Sequence, residues 1–393
     1  MSLNITLDFT YMNKIITRPV FLILAIVSIG YGCSNEFSSN ENDTLLTPKQ
    51  LLGKQLFFDT RFSEPAGQAC GSCHNPEAGF ALAQNSGSKN SIQAISAGAV
   101  TQRFGNRNTP TISYAAYIPK LHFDTKEQHY VGGLFLDGRS NTLEEQASGP
   151  LTNPVEMAIP NKKVLFQKLK SLGYEDKFKK VYGENVYKNA DSALAQLVSA
   201  ISAYERSHEL SPFNSKYDAY LNGKVSLNEQ EMRGLKLFEA EEKGNCAACH
   251  PSKLDKTNKD EQRPLFTDFT YDNIGVPANT ENPFYTQPKE FNPDGEKYID
   301  KGLGSIVKDK NHDGKFRVPT LRNITKTAPY MHNGVFKTLK EVVDFYNTRD
   351  TKEWPKPEVS ENVNKDELGD LKLTEQEVDD LVVFMKTLSD GYK

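Results

Sequence analysis

Cys70-Gly71-Ser72-Cys73-His74 and Cys246-Ala247-Ala248-Cys249-His250 are the two stretches on which the reading of this 393-residue chain turns. In each, two thiols three residues apart on one helical turn can reach the two vinyl groups of a haem. The residue that follows aims its imidazole at the iron. A zinc ribbon would bring its two CxxC pairs within roughly 15–20 residues of each other, whereas these stand at 70–73 and 246–249. A redox dithiol of the thioredoxin kind needs a βαβ setting and would not carry a histidine each time. The pattern therefore predicts two covalently attached haem c groups, with His74 and His250 as iron ligands.

Outward from the pentads, both halves follow one plan. The first opens on Thr47-Pro48-Lys49-Gln50, a capping box with proline at the first helical position, and runs through Gly53-Lys54-Gln55-Leu56-Phe57 to Cys70. The second opens on Ser226-Leu227-Asn228-Glu229, read as another capping box, and runs through Gly234-Leu235-Lys236-Leu237-Phe238 to Cys246. A helix leading into CxxCH, twice, is a duplicated module. Further helices are expected over 191–205, from Thr338 with Glu341 at its third position, and from Thr374 with Glu377 likewise. Their stripes (Leu194, Leu197, Val198, Ile201; Leu339, Val342, Val343, Tyr346; Val378, Leu381, Val382, Met385, Leu388) read as core. Strand-like alternation is scarce. Long loops at 83–107 and 277–317 suit segments wrapped over a large group.

The fold expected is all-α: two cytochrome c-like domains, each with one attached haem c, the haems near the domain interface. The boundaries expected are 46–222 for the first domain and 223–393 for the second. Residues 1–32 read as a signal peptide of lipoprotein type, with Lys14 and Arg18 ahead of a short apolar run at 20–29. That run is about half the ~20 residues needed to span a bilayer. A small residue before Cys33 and a serine after it suit lipidation at Cys33, and the polar stretch 33–45 reads as a flexible tether. The chain is accordingly expected in the periplasm or cell envelope, anchored to the membrane through Cys33. A simply secreted protein is the alternative. The other four of five cysteines are used by the pentads, which leaves no disulfide scaffold. The formal charge of −4 is intermixed, without a basic stripe, which argues against a nucleic-acid partner.

The sixth position of each iron decides function, since a filled one transfers electrons and a vacant one binds a small molecule. Candidate ligands outside the pentads are His122, His129, His208, His312, His332, Met157, Met232, Met331 and Met385.

The residues then resemble a known group. Leu52-Gly53-Lys54, Leu56-Phe57-Phe58-Asp59, Arg107-Asn108-Thr109-Pro110, Asp137-Gly138-Arg139, Pro150 to Met157, Phe316 to Asn323 and Thr327-Ala328-Pro329-Tyr330-Met331-His332-Asn333-Gly334 resemble the bacterial di-haem cytochrome c peroxidase family, including its MauG-like branch. The likeness covers essentially everything after Leu46. It implies that His74 holds the peroxide-binding haem, with Glu156 as acid/base carboxylate and Gln146 and Pro150 in the same pocket. It implies that His250 holds the electron-transferring haem, with His332 at a haem edge and Arg139 among the haem-contacting residues. Asn108 and the carbonyls of Thr327 and Pro329 would bind calcium, all oxygen donors as that hard cation prefers. Glu156 also has its own rationale, because splitting HO–OH needs one group to take a proton from the near oxygen and give it to the leaving one.

Three departures matter. Where the better-known peroxidases carry a methionine ligand on the second iron, Tyr346 stands, as in the MauG-like branch. A phenolate would lower the iron's potential; a buried helix tyrosine with Met331 or Met385 as ligand is the alternative. The stretch 75–121 holds no histidine to block the peroxide site, so that site is expected open without reductive activation, with His122 and His129 in an apparent insertion beyond it. The family's inter-haem tryptophan is replaced by Leu136. Asp309-Lys310-Asn311-His312-Asp313-Gly314 imitates an EF-hand start but reaches Thr320 where glutamate is required, and reads as a turn.

The activity expected is reduction of hydrogen peroxide to water with electrons from a small cytochrome c or cupredoxin. The alternatives are a MauG-like oxidase of a protein substrate and a non-catalytic di-haem carrier or sensor. A homodimer is left open.

Overall fold

The structure, a computed structural model, describes residues 45–82, 94–253 and 263–393. The expected signal peptide, Cys33 and all of the tether before Leu45 lie outside the described residues, as do residues 83–93 of the first long loop. No described helix is long and apolar enough to cross a membrane.

The first module runs α1 (Pro48–Phe58), α2 (Cys70–Cys73), a hairpin of β1 (His122–Asp124) and β2 (His129–Val131), α3 (Leu143–Thr152), α4 (Lys162–Ser171), α5 (Glu175–Tyr182) and α6 (Ala190–Glu205). The second runs α7 (Lys216–Leu221), α8 (Glu229–Glu239), β3 (Tyr271–Asp272), α9 (Leu303–Val307), β4 (Phe316–Arg317), α10 (Leu339–Thr348) and α11 (Glu375–Lys386). Helices build both cores, while β1–β2 and β3–β4 add two antiparallel two-stranded ribbons to the expected all-α plan. Strands of two or three residues are too short to leave an alternating pattern in the sequence.

Capping boxes start α1 at Thr47, α10 at Thr338 and α11 at Thr374, each with its third helical residue reaching back, as expected. The box expected at Ser226 is displaced by two residues. Asn228 caps α8, accepting from the Glu231 N–H at 2.9 Å while the Glu231 carboxylate accepts from the Asn228 N–H at 2.8 Å. The shift leaves Leu227 just ahead of the cap, buried in the same core that Met232 flanks, which fixes the helix entry as a hydrophobic staple does.

Each module closes on one helix crossing. α1 lies on α6 with Gly53 against the Ala200 backbone; α8 lies on α11 with Gly234 against the Asp380 backbone. Phe57 and Phe238, four residues after these glycines, are fully buried. Each contributes roughly 2–3 kcal/mol by leaving water. One apolar core draws on residues 46–210 and the other on 217–388.

Charged groups buried between the modules hold them in register. Arg107 of the first donates to both Asp300 oxygens at 2.6 and 2.7 Å and to Asp137 at 2.7 Å. Arg322 of the second is 1% exposed, donates to both Asp218 oxygens at 3.0 and 2.9 Å, and lies over the rings of Phe213 and Tyr114. Removing either partner would strand a buried charge, a loss of several kcal/mol. The sequence that imitates an EF-hand is a 3₁₀ turn over Lys310–His312, capped by Asp309, as expected.

Candidate functional site

The two pentad histidines are held in the same way. His74 Nδ1 donates to the Phe80 carbonyl at 3.1 Å and His250 Nδ1 to the Phe266 carbonyl at 2.8 Å. Phe80 and Phe266 both have left-handed backbone, φ 57° and 53°. A bulky residue pays for that conformation, and such strain gathers where geometry matters. Here it aims a carbonyl at an imidazole, twice. A second carbonyl approaches each ring, from Pro110 and from Pro319. With the proton fixed on Nδ1, Nε2 presents a lone pair, the arrangement that orients a metal-ligating histidine. Burial pulls both imidazoles down to about 4, which keeps them neutral.

The pentad thiols are reduced and unpaired. Burial pushes Cys70, Cys246 and Cys249 up to about 12, with Glu205 adding to the effect at Cys70. Reactive dithiols sit in electropositive settings with depressed values, so a redox dithiol does not fit. No cluster of three or more His, Cys, Asp or Glu side chains placed to hold a metal ion is found among the described residues.

A cavity of about 290 Å³ opens at His250, lined by Cys246, Cys249, Tyr346, Met331, Met385 and Arg317 among others. Its walls are mostly apolar, as a porphyrin face requires, and Arg317 is among the charged residues that line it. Arg317 supplies the sharpest indication. It is buried, one terminal nitrogen donates to the Val318 carbonyl at 3.3 Å, its Nε has no partner, and among the described residues no carboxylate pairs with it, unlike Arg107, Arg322 and Arg349. Burial pulls it down to about 10. A buried guanidinium in that condition calls for an anion. The residues thus fit a haem in this module, with the Tyr346 hydroxyl making no hydrogen bond to a described residue. Burial holds the Tyr346 phenol well above its ordinary range, so its ionisation awaits a cation in the cavity. Met331 and Met385 line the same walls, so all three ligand candidates for the second iron meet here.

In the first module Gln146 and Pro150 lie four apart on α3, on one side of the helix. The helix ends at Asn153, whose side-chain amide donates to Glu156 Oε2 at 2.7 Å. Glu156 is half-buried, and desolvation raises its carboxyl against the opposing effects of Asn153 and Arg139. Arg139 itself donates to Asp137 at 2.6 Å and lies 3.8 Å over the Phe135 ring. The electrostatic reach of Glu156 extends to Cys70 and Cys73, which joins this carboxyl to the first pentad.

Asn108 sits at the junction of the modules, its N–H donating to the His332 carbonyl and its side-chain amide to Ala94 O. The Asn108 side-chain oxygen and the main-chain oxygens of Thr327 and Pro329 accept no hydrogen bond from described residues, and the three residues line one cavity wall. That donor set suits a hard cation. His332 is buried, stacked 3.9 Å from Phe316, and meets Glu358 at 3.2 Å. Leu136 lies in the same cavity wall, its carbonyl accepting from the Arg317 N–H of the other module at 2.8 Å. The hairpin carrying His122 and His129 packs on the second module, through Gly132 to Phe269 and Tyr130 to His312.

Sequence reasoning missed Phe80, Phe266, Pro110, Pro319 and the unpaired Arg317. Thr109-Pro110-Thr111 and Val318-Pro319-Thr320 carry the two prolines whose carbonyls reach the pentad histidines, and that short likeness is the signal that could have exposed Pro110 and Pro319.

A family model described as di-haem cytochrome c peroxidase matches residues 47–226, and one described as cytochrome c matches 231–389. The chain is 36% identical over 355 residues to the methylamine utilization protein MauG of Paracoccus denitrificans, covering 86% of this chain and 88% of that protein. It is 33% identical to the cytochrome-c peroxidase IdrP1 of Pseudomonas sp. (strain SCT), covering 87% and 80%. Among solved structures, the diheme peroxidase BthA of Burkholderia thailandensis superposes with a TM-score of 0.74 at 34% identity, covering 87% and 86%. A MauG-like protein associated with microbial copper homeostasis gives 0.64 at 29%, covering 89% and 91%.

Proposed function

The chain belongs to the di-haem cytochrome c peroxidase family, and on that premise we propose that it reduces hydrogen peroxide to water with electrons from a small redox protein. It is an oxidoreductase of two cytochrome c-like domains, and the family implies two haem c groups. The observation that carries the reading is Glu156, held by Asn153 beside the first pentad, where burial raises its carboxyl and so makes the carboxylate a stronger proton acceptor.

Cys70 and Cys73 would attach one haem and Cys246 and Cys249 the other, with His74 and His250 as the iron-facing imidazoles. A bound haem would supply the iron that binds and reduces peroxide in the first module and an electron store in each module. The rest is done by the chain. Glu156 takes a proton from the peroxide oxygen nearer the iron and returns it to the far one, which leaves as water. One carboxyl serves both transfers, so it must rest near neutrality, and desolvation moves it that way. The Asn153 amide holds the carboxyl in one orientation, and Gln146 and Pro150 shape the approach from α3. Two electrons and two protons complete the conversion of one peroxide into two waters. No histidine occurs in residues 75–121, which supports a site open without prior reduction.

Tyr346 is proposed as the second ligand at His250, with Arg317 holding a propionate and His332 and Arg139 at haem edges. Asn108, Thr327 and Pro329 are proposed to hold calcium. The donor is proposed as a small cytochrome c or cupredoxin, and the location as the cell envelope, through a signal and lipidated Cys33.

A MauG-like oxidation of a protein substrate is the second reading, favoured by Tyr346 and by the 36% identity to MauG. Steady-state turnover separates the two. Peroxide-dependent oxidation of a reduced cytochrome supports the first reading. If peroxide consumption proceeds only with a protein substrate and leaves cytochromes untouched, the second replaces it. No reaction with peroxide at all would leave an electron carrier.

A further inference from the structure

Among the described residues, three buried tyrosines donate the phenolic hydrogen to a carboxylate: Tyr114 to Asp390, Tyr174 to Asp59 and Tyr204 to Glu209. Of these, Tyr114 alone also lines the cavity that opens at His250. It is 2% exposed and sits in left-handed backbone at φ 62°, which a bulky residue adopts only where the surrounding structure holds it. Its hydroxyl meets both Asp390 oxygens, at 2.8 and 2.9 Å, and accepts from the Phe213 N–H at 3.0 Å. Asp390 follows α11 and is also held by the Asn323 amide at 2.7 Å and the Asn214 N–H at 3.3 Å. Tyr117, whose ring lies 6.5 Å from that of Tyr114, is exposed and has no such partner among the described residues.

Contacts run from Tyr114 toward both pentad histidines. Ile112, two residues earlier, gives its N–H to the Phe80 carbonyl at 3.1 Å, the same oxygen that receives His74. Arg322 lies 4.8 Å over the Tyr114 ring and 5.9 Å over the Phe266 ring, and the Phe266 carbonyl receives His250. Both Asp218 oxygens offset the Arg322 charge, so the ring does not face an unbalanced cation. Burial holds the phenol above its ordinary range, with Arg322 opposing and Asp390 adding to the effect, so the resting form is the protonated phenol. A phenol that loses an electron becomes a strong acid, and it is oxidised readily only where a base stands ready for its proton. Asp390 is that base, at hydrogen-bond distance.

Each peroxide takes two electrons, whereas small redox proteins deliver them singly. We propose that Tyr114 is a redox-active residue that supplies one of the two when peroxide meets the oxidised protein before a donor does. The electron leaves the phenol for the haem group of the first module, the O–H bond breaks, and the proton passes to Asp390. A neutral phenoxyl radical and a carboxylic acid remain. The other electron comes from the haem group itself, and two protons from solvent complete the two waters. A donor electron, with the proton returning from Asp390, later restores the phenol. Tyr114 is assigned no contact with peroxide; it stores one oxidising equivalent between the two modules, and Glu156 keeps the proton transfer at the peroxide. This inference rests on the proposed peroxide reaction and on haem attachment at both pentads.

The experiment mixes the fully oxidised holoprotein with one equivalent of hydrogen peroxide, without donor, and freezes it for EPR. A narrow radical signal should appear beside the haem signals. Its splitting should shrink when the chain carries ring-deuterated tyrosine, which needs no variant to fold. Tyr114→Phe should remove the signal and Asp390→Asn, similar in size but unable to take the proton, most of it, with haem content unchanged. Tyr174→Phe should leave the signal whole. A purely structural tie between Tyr114 and the C-terminal segment predicts instead a lower Tm in Tyr114→Phe and an intact radical. A Soret change without a radical, a line shape unaltered by ring deuteration, or a signal retained in Tyr114→Phe would each overturn the proposal and leave the peroxide reaction standing. A spectrum unmoved by peroxide overturns the proposed function, and this inference with it.

Discussion

Replacing Gly53 by alanine should destabilise the first module, although the same change in most helices does the opposite. Glycine inside a helix costs about 1 kcal/mol relative to alanine, so propensity alone predicts a gain. At Gly53, however, an added Cβ would stand 1.9 Å from the Ala200 carbonyl oxygen of α6, and backbone cannot swing aside as a side-chain tip can. An ordinary contact there is nearer 3.5 Å. The helices must therefore part by well over an ångström, and Leu56 and Phe57 lose part of their packing with them. Overpacking of this kind costs about 1–3 kcal/mol, and lost dispersion along the seam adds to it. The net expectation is a loss of roughly 2 kcal/mol, or about 4–8 °C in Tm for a module of this size. Gly234→Ala should behave alike, since its Cβ meets the Asp380 carbonyl oxygen at 2.1 Å. Gly149→Ala on α3 is the control, because its nearest neighbour lies 3.5 Å away and only the propensity gain remains. Differential scanning calorimetry of the three proteins reads the result. Gly53→Ala as stable as Gly149→Ala would refute the reasoning.

Other consequences are equally direct. Glu156→Gln removes the proton shuttle but keeps its shape, and kcat/KM for peroxide should fall by roughly 10²–10⁴ with haem content unchanged. A loss under tenfold would remove Glu156 from the chemistry. Tyr346→Phe should change the low-spin EPR signal of the second haem, and an unaltered signal would point to Met331 or Met385. Arg107 holds Asp300 down at about 2, against an ordinary carboxylate value of 3.8. Because the folded value is the lower one, the pair's stability is complete above about pH 4 and drains as pH falls toward 2. The amount at stake is roughly 2 kcal/mol. Acid titrations of wild type and Asp300→Asn by circular dichroism should differ in steepness only in that window.

The duplicated plan was legible because its parts are local. A pentad, a proline-led capping box and a Gly–Phe spacing each lie within one helix or turn, and all reappear in the structure. The α8 cap was misplaced by two residues because Ser226 and Asn228 are both good caps. Only the burial of Leu227 chooses between them. What stayed hidden depends on the approach of distant segments. Nothing in the sequence around Arg317 distinguishes it from a solvated charge; it becomes unusual only when the fold buries it with no carboxylate among the described residues. The left-handed Phe80 and Phe266 were invisible for a related reason, since phenylalanine gives no local cue for positive φ. Their role emerges when each carbonyl meets a pentad histidine. The ribbons β1–β2 and β3–β4 are set by pairing rather than by pattern.

The account stands most directly on the reaction of the fully oxidised protein with one equivalent of hydrogen peroxide, followed by stopped-flow absorbance without any reductant. It predicts a Soret change within the mixing experiment, complete at one equivalent and slowed by Glu156→Gln. A spectrum that stays still until electrons are first supplied would mean that a side chain closes the site at rest, and would contradict the account.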